Sequence, residues 1–297
     1  MTARERGFLL LTSHLGDPQR KPLTVAQLRN LAQRMRVAEH SGQDRELAEE
    51  DLIACGYSRQ AAAHILLLLS QEEQLSYYLQ KAKKSGCLPL TRVNGAYPAA
   101  VRRCLGDDSP GVLWARGNVT LLKEPCIALV GSRDLNDANS AFASRVGEEA
   151  AKQGYTLVSG NARGADRTAQ DACLGAGGSV ICVSAEALSK HGKKENVLYL
   201  SEDSFDAPFS SARALSRNRV IHALAQKTFV AQARLGMGGT WDGTVRNLRN
   251  NWNEVFCYDD GSAAAQELSQ LGAELIGTEQ LADIWALRIK HTTLFDQ

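Results

Sequence analysis

The sequence predicts an α/β protein: a doubly wound, mostly parallel sheet preceded by a small all-helical N-terminal domain. Three observations carry this. From Cys126 onward, short apolar runs alternate with helix-length stretches, the pattern of parallel strands with helices on both faces. Three of the expected strand ends run into glycine-containing loops, at Gly131, Gly160 and Gly236. Before about residue 85 the apolar positions recur at helical spacing instead. Gly86, Pro89, Gly95 and Pro98 punctuate the junction. The expected domains are therefore 1–90, helical, and 91–297, the sheet domain.

In chain order, Thr24 and Gln27 form a capping-box pattern, and Val25, Leu28, Leu31, Ala32 and Met35 continue it at helical spacing. A second helical block runs from about Ser58 through Ile65–Leu69 to Lys84. In the sheet domain the first strand is Cys126–Val130, followed by a helix carrying Phe142, Val146 and Ala150. Tyr155–Ser159 is the next strand, Ala165–Leu174 a helix and Ser179–Val183 the third strand. Later come a strand at Thr228–Ala231, a helix from about Thr240, a strand at Glu254–Tyr258 and a helix at Ala263–Leu271. The segment Gln280–Arg288 is amphipathic and packs either on its own domain or on a partner.

Length and composition fit an ordinary globular protein of one large and one small domain: 297 residues, 44% hydrophobic and 23% charged. A formal net charge of +1 gives no global electrostatic footprint, so a polyanion site has to be a local basic patch. Seven scattered cysteines without a Cys-x-x-Cys pair argue against a disulfide framework and against zinc. The apolar Phe8–Leu11 is too short for a signal h-region, and no run reaches membrane-spanning length. The expectation is a cytoplasmic protein.

The chemistry-bearing residues gather at strand ends. Gly131-Ser132-Arg133 closes the first strand with a tight turn, a hydroxyl and a fixed cation. Ser159-Gly160-Asn161-Ala162-Arg163-Gly164-Ala165-Asp166 lies between a strand and a helix, and so does Gly236-Met237-Gly238-Gly239-Thr240. Any one of these loops is also an ordinary turn. At equivalent positions of a doubly wound sheet, however, such loops converge on one crevice at the strands' C-terminal ends. Helix N-termini there offer unpaired N–H groups and a positive dipole end, which suit phosphate. Arg213, Arg217, Asn218 and Arg219 add planar donors matched to phosphate oxygens, or form a salt-bridged surface. Lys190, Lys193 and Lys194 are a solvated basic face.

His222 lies in an apolar stretch and is expected to be packed rather than to act as a base. His14, His40, His64, His191 and His291 lack metal-ligand spacing. Asp166 caps its helix or orients Arg163. Trp241 and Trp252 fall in one expected helix, where core packing is the default, although Trp241 beside Gly239-Thr240 could stack on a base.

Together these elements resemble the DprA/Smf family, DNA-processing proteins that bind single-stranded DNA and load recombinase during transformation. The resemblance runs from about Tyr97 to Ala282. It rests on Tyr97-Pro98, Pro110–Gly117, Ala128–Arg133, Val158–Gly160 with Gly164–Asp166, Gly178–Val183, Gly238–Thr240 and Gly272-Ala273 before Leu275-Ile276. Its most specific element is Arg217-Asn218-Arg219-Val220-Ile221. The sequence departs from the family at Asn161 and Arg163, at Leu215-Ser216 where Phe-Pro is usual, and at Gln232-Ala233 where Glu-Ala is usual. The resemblance implies a Rossmann-like domain and a non-enzymatic binder of single-stranded DNA or a nucleotide, with no cofactor and no metal. Phosphates would meet Arg133, Arg163, Arg217 and Arg219, aided by backbone at Gly131, Ser132, Ser159, Gly160, Gly164, Asn218, Gly238, Gly239 and Thr240. Implied partners are a recombinase or a toxin protein, and a second copy of the chain in a homodimer. The roles implied are DNA recombination, phage defence, or a nucleotide sensor or antitoxin of a toxin–antitoxin pair. Gly238-Gly239-Thr240 also resembles the phosphate loop of lonely-guy phosphoribohydrolases. Those enzymes need a glutamate soon after the threonine, and here Asp242 stands in the wrong register.

Overall fold

The computed structural model describes residues 1–37, 47–192, 194–202 and 204–289. His40, Lys193 and His291 lie outside the described residues. Contacts divide the chain into two compact units: residues 1–115 with 202–207, and residues 116–201 with 208–297.

The first unit contains the helices α1 (Ala3–Thr12), α2 (Val25–Val37), α3 (Glu49–Ala54), α4 (Arg59–Leu69) and α5 (Glu72–Lys84). Strand β1 (Cys87–Thr91), helix α6 (Ala99–Leu105) and the start of strand β2 (Val112–Gly117) follow. The capping box forms at the start of α2. The Thr24 N–H donates to Gln27 Oε1 at 2.9 Å, and the Gln27 N–H donates to Thr24 Oγ1 at 3.3 Å. The helical block expected over 58–84 is two helices, interrupted at Ser70 and Gln71. Leu23, Leu31, Leu52, Ile65 and Leu68 form one apolar cluster of this unit. Arg20 is buried beside it and donates to Gln71 Oε1 at 2.6 Å and to the carbonyls of Ser13, Leu10 and Leu68.

The second unit alternates strand and helix: β3 (Cys126–Val130), α7 (Asp137–Lys152), β4 (Thr156–Ser159), α8 (Ala165–Gly175), β5 (Ser179–Val183) and β6 (Val197–Ser201). Helices α9 (Ser211–Ser216) and α10 (Asn218–Leu224) lead into β7 (Lys227–Val230). Then come α11 (Gly238–Asn250), β8 (Glu254–Tyr258), α12 (Ala263–Gln270) and β9 (Glu274–Ile276). Strand order in this unit is β6-β5-β4-β3-β7-β8-β9, and every neighbouring pair is parallel. This is the doubly wound order, running outward one way from β3 through β4, β5 and β6 and the other way through β7, β8 and β9. The order reverses between β3 and β7, where Leu129 pairs with Phe229 and Val130 with Val230. Among the described residues no helix is long and apolar enough to cross a membrane.

Central strands buried on both faces read as continuous apolar runs, and Cys126–Val130 is buried throughout. Ile127, Leu129, Leu157, Phe229 and Phe256 join Phe142 and Val146 of α7 in one core. The close approach of α7 to α8 depends on Gly147, because a Cβ there would run into the backbone of Ala169. The segment after β9 packs on its own unit. Leu281 and Ile284 are fully buried, the Ile284 N–H donates to Gln153 Oε1 at 2.7 Å, and Trp285 stacks on Tyr155 with ring centroids 4.5 Å apart.

Candidate nucleic-acid interface

Doubly wound sheets bind ligands outside the strand ends at the point where the order reverses. Here that point is a crevice of about 390 Å³ formed by the loops after β3 and β7, with α9 and α10 along one side. Gly131 allows the β3 chain to turn where no side chain fits: a Cβ would overlap the methyl of Ala165 and approach that of Ala231 to 3.3 Å. Ser132 is then tied to the β7 loop by its N–H donating to the Gln232 carbonyl at 2.9 Å, and its own carbonyl accepts from the Ala165 N–H at 3.1 Å. Arg133 follows at the rim, exposed and without an ion pair among the described residues.

The β4 loop wraps around a buried carboxylate. Asp166 Oδ2 accepts from the N–H groups of Gly160 at 3.0 Å and Ala162 at 3.2 Å. Between them Asn161 takes the left-handed conformation, φ 59°, which asparagine tolerates better than most residues. Gly164, at φ 82°, lets this loop meet the Ser132 and Arg133 carbonyls closely. Burial pushes the Asp166 carboxyl up, against the opposing pull of Arg217 and the two N–H donors. The cation facing Asp166 is Arg217, at 4.0 Å, with both side chains about nine-tenths buried. The expected orientation of Arg163 by Asp166 is not found: Arg163 is largely exposed and donates to Asp134 Oδ1 at 2.7 Å.

Arg217 stands at the break between α9 and α10, with its guanidinium against Gly160, where a Cβ would overlap it. It lines the crevice together with Ser132, Arg133, Asn218, Gly238, Gly239 and Thr240. Asn218 Nδ2 donates to the Gly239 carbonyl at 2.9 Å, and Thr240 Oγ1 donates to the Gly131 carbonyl at 2.9 Å. These bonds tie the start of α11 to α10 and to β3, so its first N–H groups and positive dipole end stay beside the arginines.

Five predicted residues, Ser159, Gly160, Arg163, Gly164 and Arg219, do not line the crevice, and Gly164 packs behind it against the Ser132 and Arg133 carbonyls. Ser159 is buried and its hydroxyl accepts from Gln170. Gly160 and Arg163 line an adjoining hollow, which shares Arg133 and Arg217 with the crevice. Arg219 lines a different hollow, on the far side of Asn218, with Trp241 and Trp252. Trp252 is not helical as expected. It follows Asn251, the left-handed residue (φ 50°) that ends α11, and both tryptophans are only half buried. Arg213 donates to the carbonyls of Ala185 at 2.9 Å and Pro208 at 2.8 Å, and to Ser201 Oγ at 2.7 Å, so it braces loops of its own unit.

The crevice also contains groups that the sequence reading did not assign to it. Asp134 lines it, held by Arg163 and by Arg234 at 3.6 Å, and Arg234 itself lies on the rim. The side-chain oxygen of Gln232 is buried in the wall with no hydrogen-bond partner among the described residues. Arg234 was detectable only as a lone cation just before Gly236, and Gln232 only as a departure from a family pattern. His222 closes the floor, 1% exposed, its Nδ1 3.1 Å from both Thr228 Oγ1 and Asn247 Nδ2. Burial, with Arg217 nearby, holds its pKa down at about 3, so the imidazole is neutral at pH 7.

A parallel switch-point sheet with a cationic, glycine-walled crevice defines a Rossmann-like class of protein. The family model described as DNA recombination-mediator protein A matches residues 89–287, and the chain belongs to that family. It is similar to DNA processing protein DprA of Streptococcus pneumoniae, 29% identical over 188 residues covering 58% of this chain and 66% of that protein. It is also similar to protein Smf of Escherichia coli, 30% identical over 189 residues covering 57% of this chain and 49% of that protein. The matched stretch thus spans less than two thirds of either relative's length. The X-ray structure of the pneumococcal DprA superposes with a TM-score of 0.75 at 24% identity, covering 97% of this chain and 99% of that one. DNA processing protein A of Helicobacter pylori, whose structure describes a single-stranded DNA binding mode, gives 0.55 at 22% identity, covering 66% and 94%. These two likenesses establish the fold.

Proposed function

We propose that this protein binds single-stranded DNA through the switch-point crevice and acts in DNA processing or recombination without catalysing a reaction. The observation that carries the reading is the pairing of exposed Arg133 with buried Arg217 beside the start of α11. A phosphate there would meet two guanidinium groups and helix N–H groups without a pairing carboxylate in its path. Asp134 is already engaged by Arg163 and Arg234, and Asp166 by backbone N–H groups and Arg217. Asp242, the acid in the wrong register for a phosphoribohydrolase, lines the Trp241 hollow rather than the crevice. His222 is too depressed in pKa and too enclosed in its amide network to serve as a base near neutrality.

A binding role explains why the polar groups of the crevice position one another instead of forming a nucleophile–base pair. The family relatives named as DNA-processing proteins support the same reading. The test is fluorescence anisotropy with a labelled single-stranded oligonucleotide, unlabelled mononucleotide as competitor, and Arg133→Ala. Arg133 is the informative position because it is exposed, whereas removing Arg217 would also leave the Asp166 carboxylate buried without its cation. The expected results are at least about tenfold weaker binding by Arg133→Ala, the loss of one charge-assisted contact, and weak competition by mononucleotide. Equal affinity for mononucleotide and oligonucleotide would instead favour the nucleotide-sensor reading.

A further inference from the structure

Beside the crevice lies a second hollow of about 490 Å³ that the crevice reading does not use. It combines half-buried Trp241 and Trp252 with Arg219, Arg246, Arg249 and a single carboxylate, Asp242. Chain geometry brings these residues together. Trp241, Val245 and Arg249 recur every four residues on α11, so they share one side of that helix, and Arg246 flanks them. Arg219 enters from the first turn of α10. The left-handed Asn251 turns the chain back, with the Trp252 N–H donating to the Asn247 carbonyl at 3.3 Å. Arg246 and Arg249 are exposed and form no ion pair among the described residues.

Core packing would enclose the indoles, and a purely solvated basic face would contain none. Half-open indoles among three cations match what single-strand sites are built from: aromatic faces for bases and fixed cations for the backbone. The hollow also adjoins the crevice. Leu215, Asn218 and Gly239 line both, and the Asn218–Gly239 hydrogen bond forms the sill between them.

We propose that this hollow is a second nucleotide subsite, in which a base of the strand held in the crevice stacks on the indole of Trp241. Arg219, Arg246 and Arg249 face the neighbouring phosphates. The inference rests on the single-stranded DNA reading of the crevice and adds the direction in which the strand leaves it, across Asn218 and along α11.

The test uses the full chain and a fluorescein-labelled oligothymidylate of about twenty nucleotides, longer than a single-strand site on one domain. Wild type, Arg133→Ala, Trp241→Ala, Trp241→Phe and the double variant Arg246→Ala/Arg249→Ala are titrated at several salt concentrations, after thermal melts show which are folded. Trp241→Ala should weaken binding on the order of tenfold, the effect of losing one stacked base, while Trp241→Phe retains most of it. The double variant, which changes only exposed side chains, should flatten the log–log salt slope by about 1.4, or about 0.7 per phosphate. If Arg133→Ala weakens binding but Trp241→Ala and the double variant bind like wild type, the subsite is overturned and the crevice stands. If the wild type does not bind the oligonucleotide, both readings fall. The double variant keeps the test decisive even if Trp241→Ala does not fold.

Discussion

Arg217 lies against Gly160 so closely that no residue with a Cβ can stand at 160 without displacing the guanidinium. This glycine is required by close approach, since its φ is not in the left-handed region. Gly160→Ala should therefore push Arg217 off Asp166. The expected outcome is a loss of about 1–3 kcal/mol of stability, the usual cost of overpacking, together with weakened oligonucleotide binding. Urea unfolding and anisotropy on the same preparation check both effects. His222 gives a pH prediction. Its folded pKa of about 3 lies below the unfolded 6.5, so the folded state binds fewer protons between those values. Its contribution to stability is full above pH 6.5 and is lost as pH falls through that window, by about 2 kcal/mol at pH 5. Asp166, raised by burial, acts with the opposite sign above its unfolded value of 3.8. Urea midpoints at pH 7.5 and pH 5 should fall more for the wild type than for His222→Gln.

At the scale of elements, the site depends on where helices begin and how closely they pack. Gly238 starts α11 in the left-handed region, φ 86°, Gly239 follows without a side chain that would crowd Asn218 and Leu215, and Thr240 fastens that start to the end of β3. Helices α7 and α8 meet across Gly147, so Gly147→Ala should force them apart and cost about 1–3 kcal/mol. Thermal melting measures that, and the crevice arginines should be unaffected in a binding assay at low temperature. Much of this was legible in the sequence, because buried parallel strands are continuous apolar runs and their turns need glycine. The strand β3, the capping box at Thr24 and the three glycine loops all follow from local chemistry. Strand β6 was not legible: Val197–Ser201 is short, follows a polar loop and has no glycine turn at its end. The difference between Arg217 and Arg219 was not legible either. Residues two apart in helical conformation face about 200° apart at 3.6 residues per turn, so Arg217 turns to Asp166 and Arg219 to the tryptophans. Asp134 and Arg234 were missed because their ion pair joins loops a hundred residues apart in sequence.

For the whole molecule, a formal net charge of +1 means that attraction to a polyanion has to be local. The switch point supplies that locality by bringing Arg133, Arg217 and Arg234 together from three loops. The most direct measurement is the salt dependence of binding to a labelled single-stranded oligonucleotide, by wild type and by Arg133→Ala. With three or four phosphates neutralised, the wild-type log–log slope should be about −2 to −3, and Arg133→Ala should be shallower by about 0.7. A wild-type slope near zero, or identical slopes and affinities for the two proteins, would contradict the account.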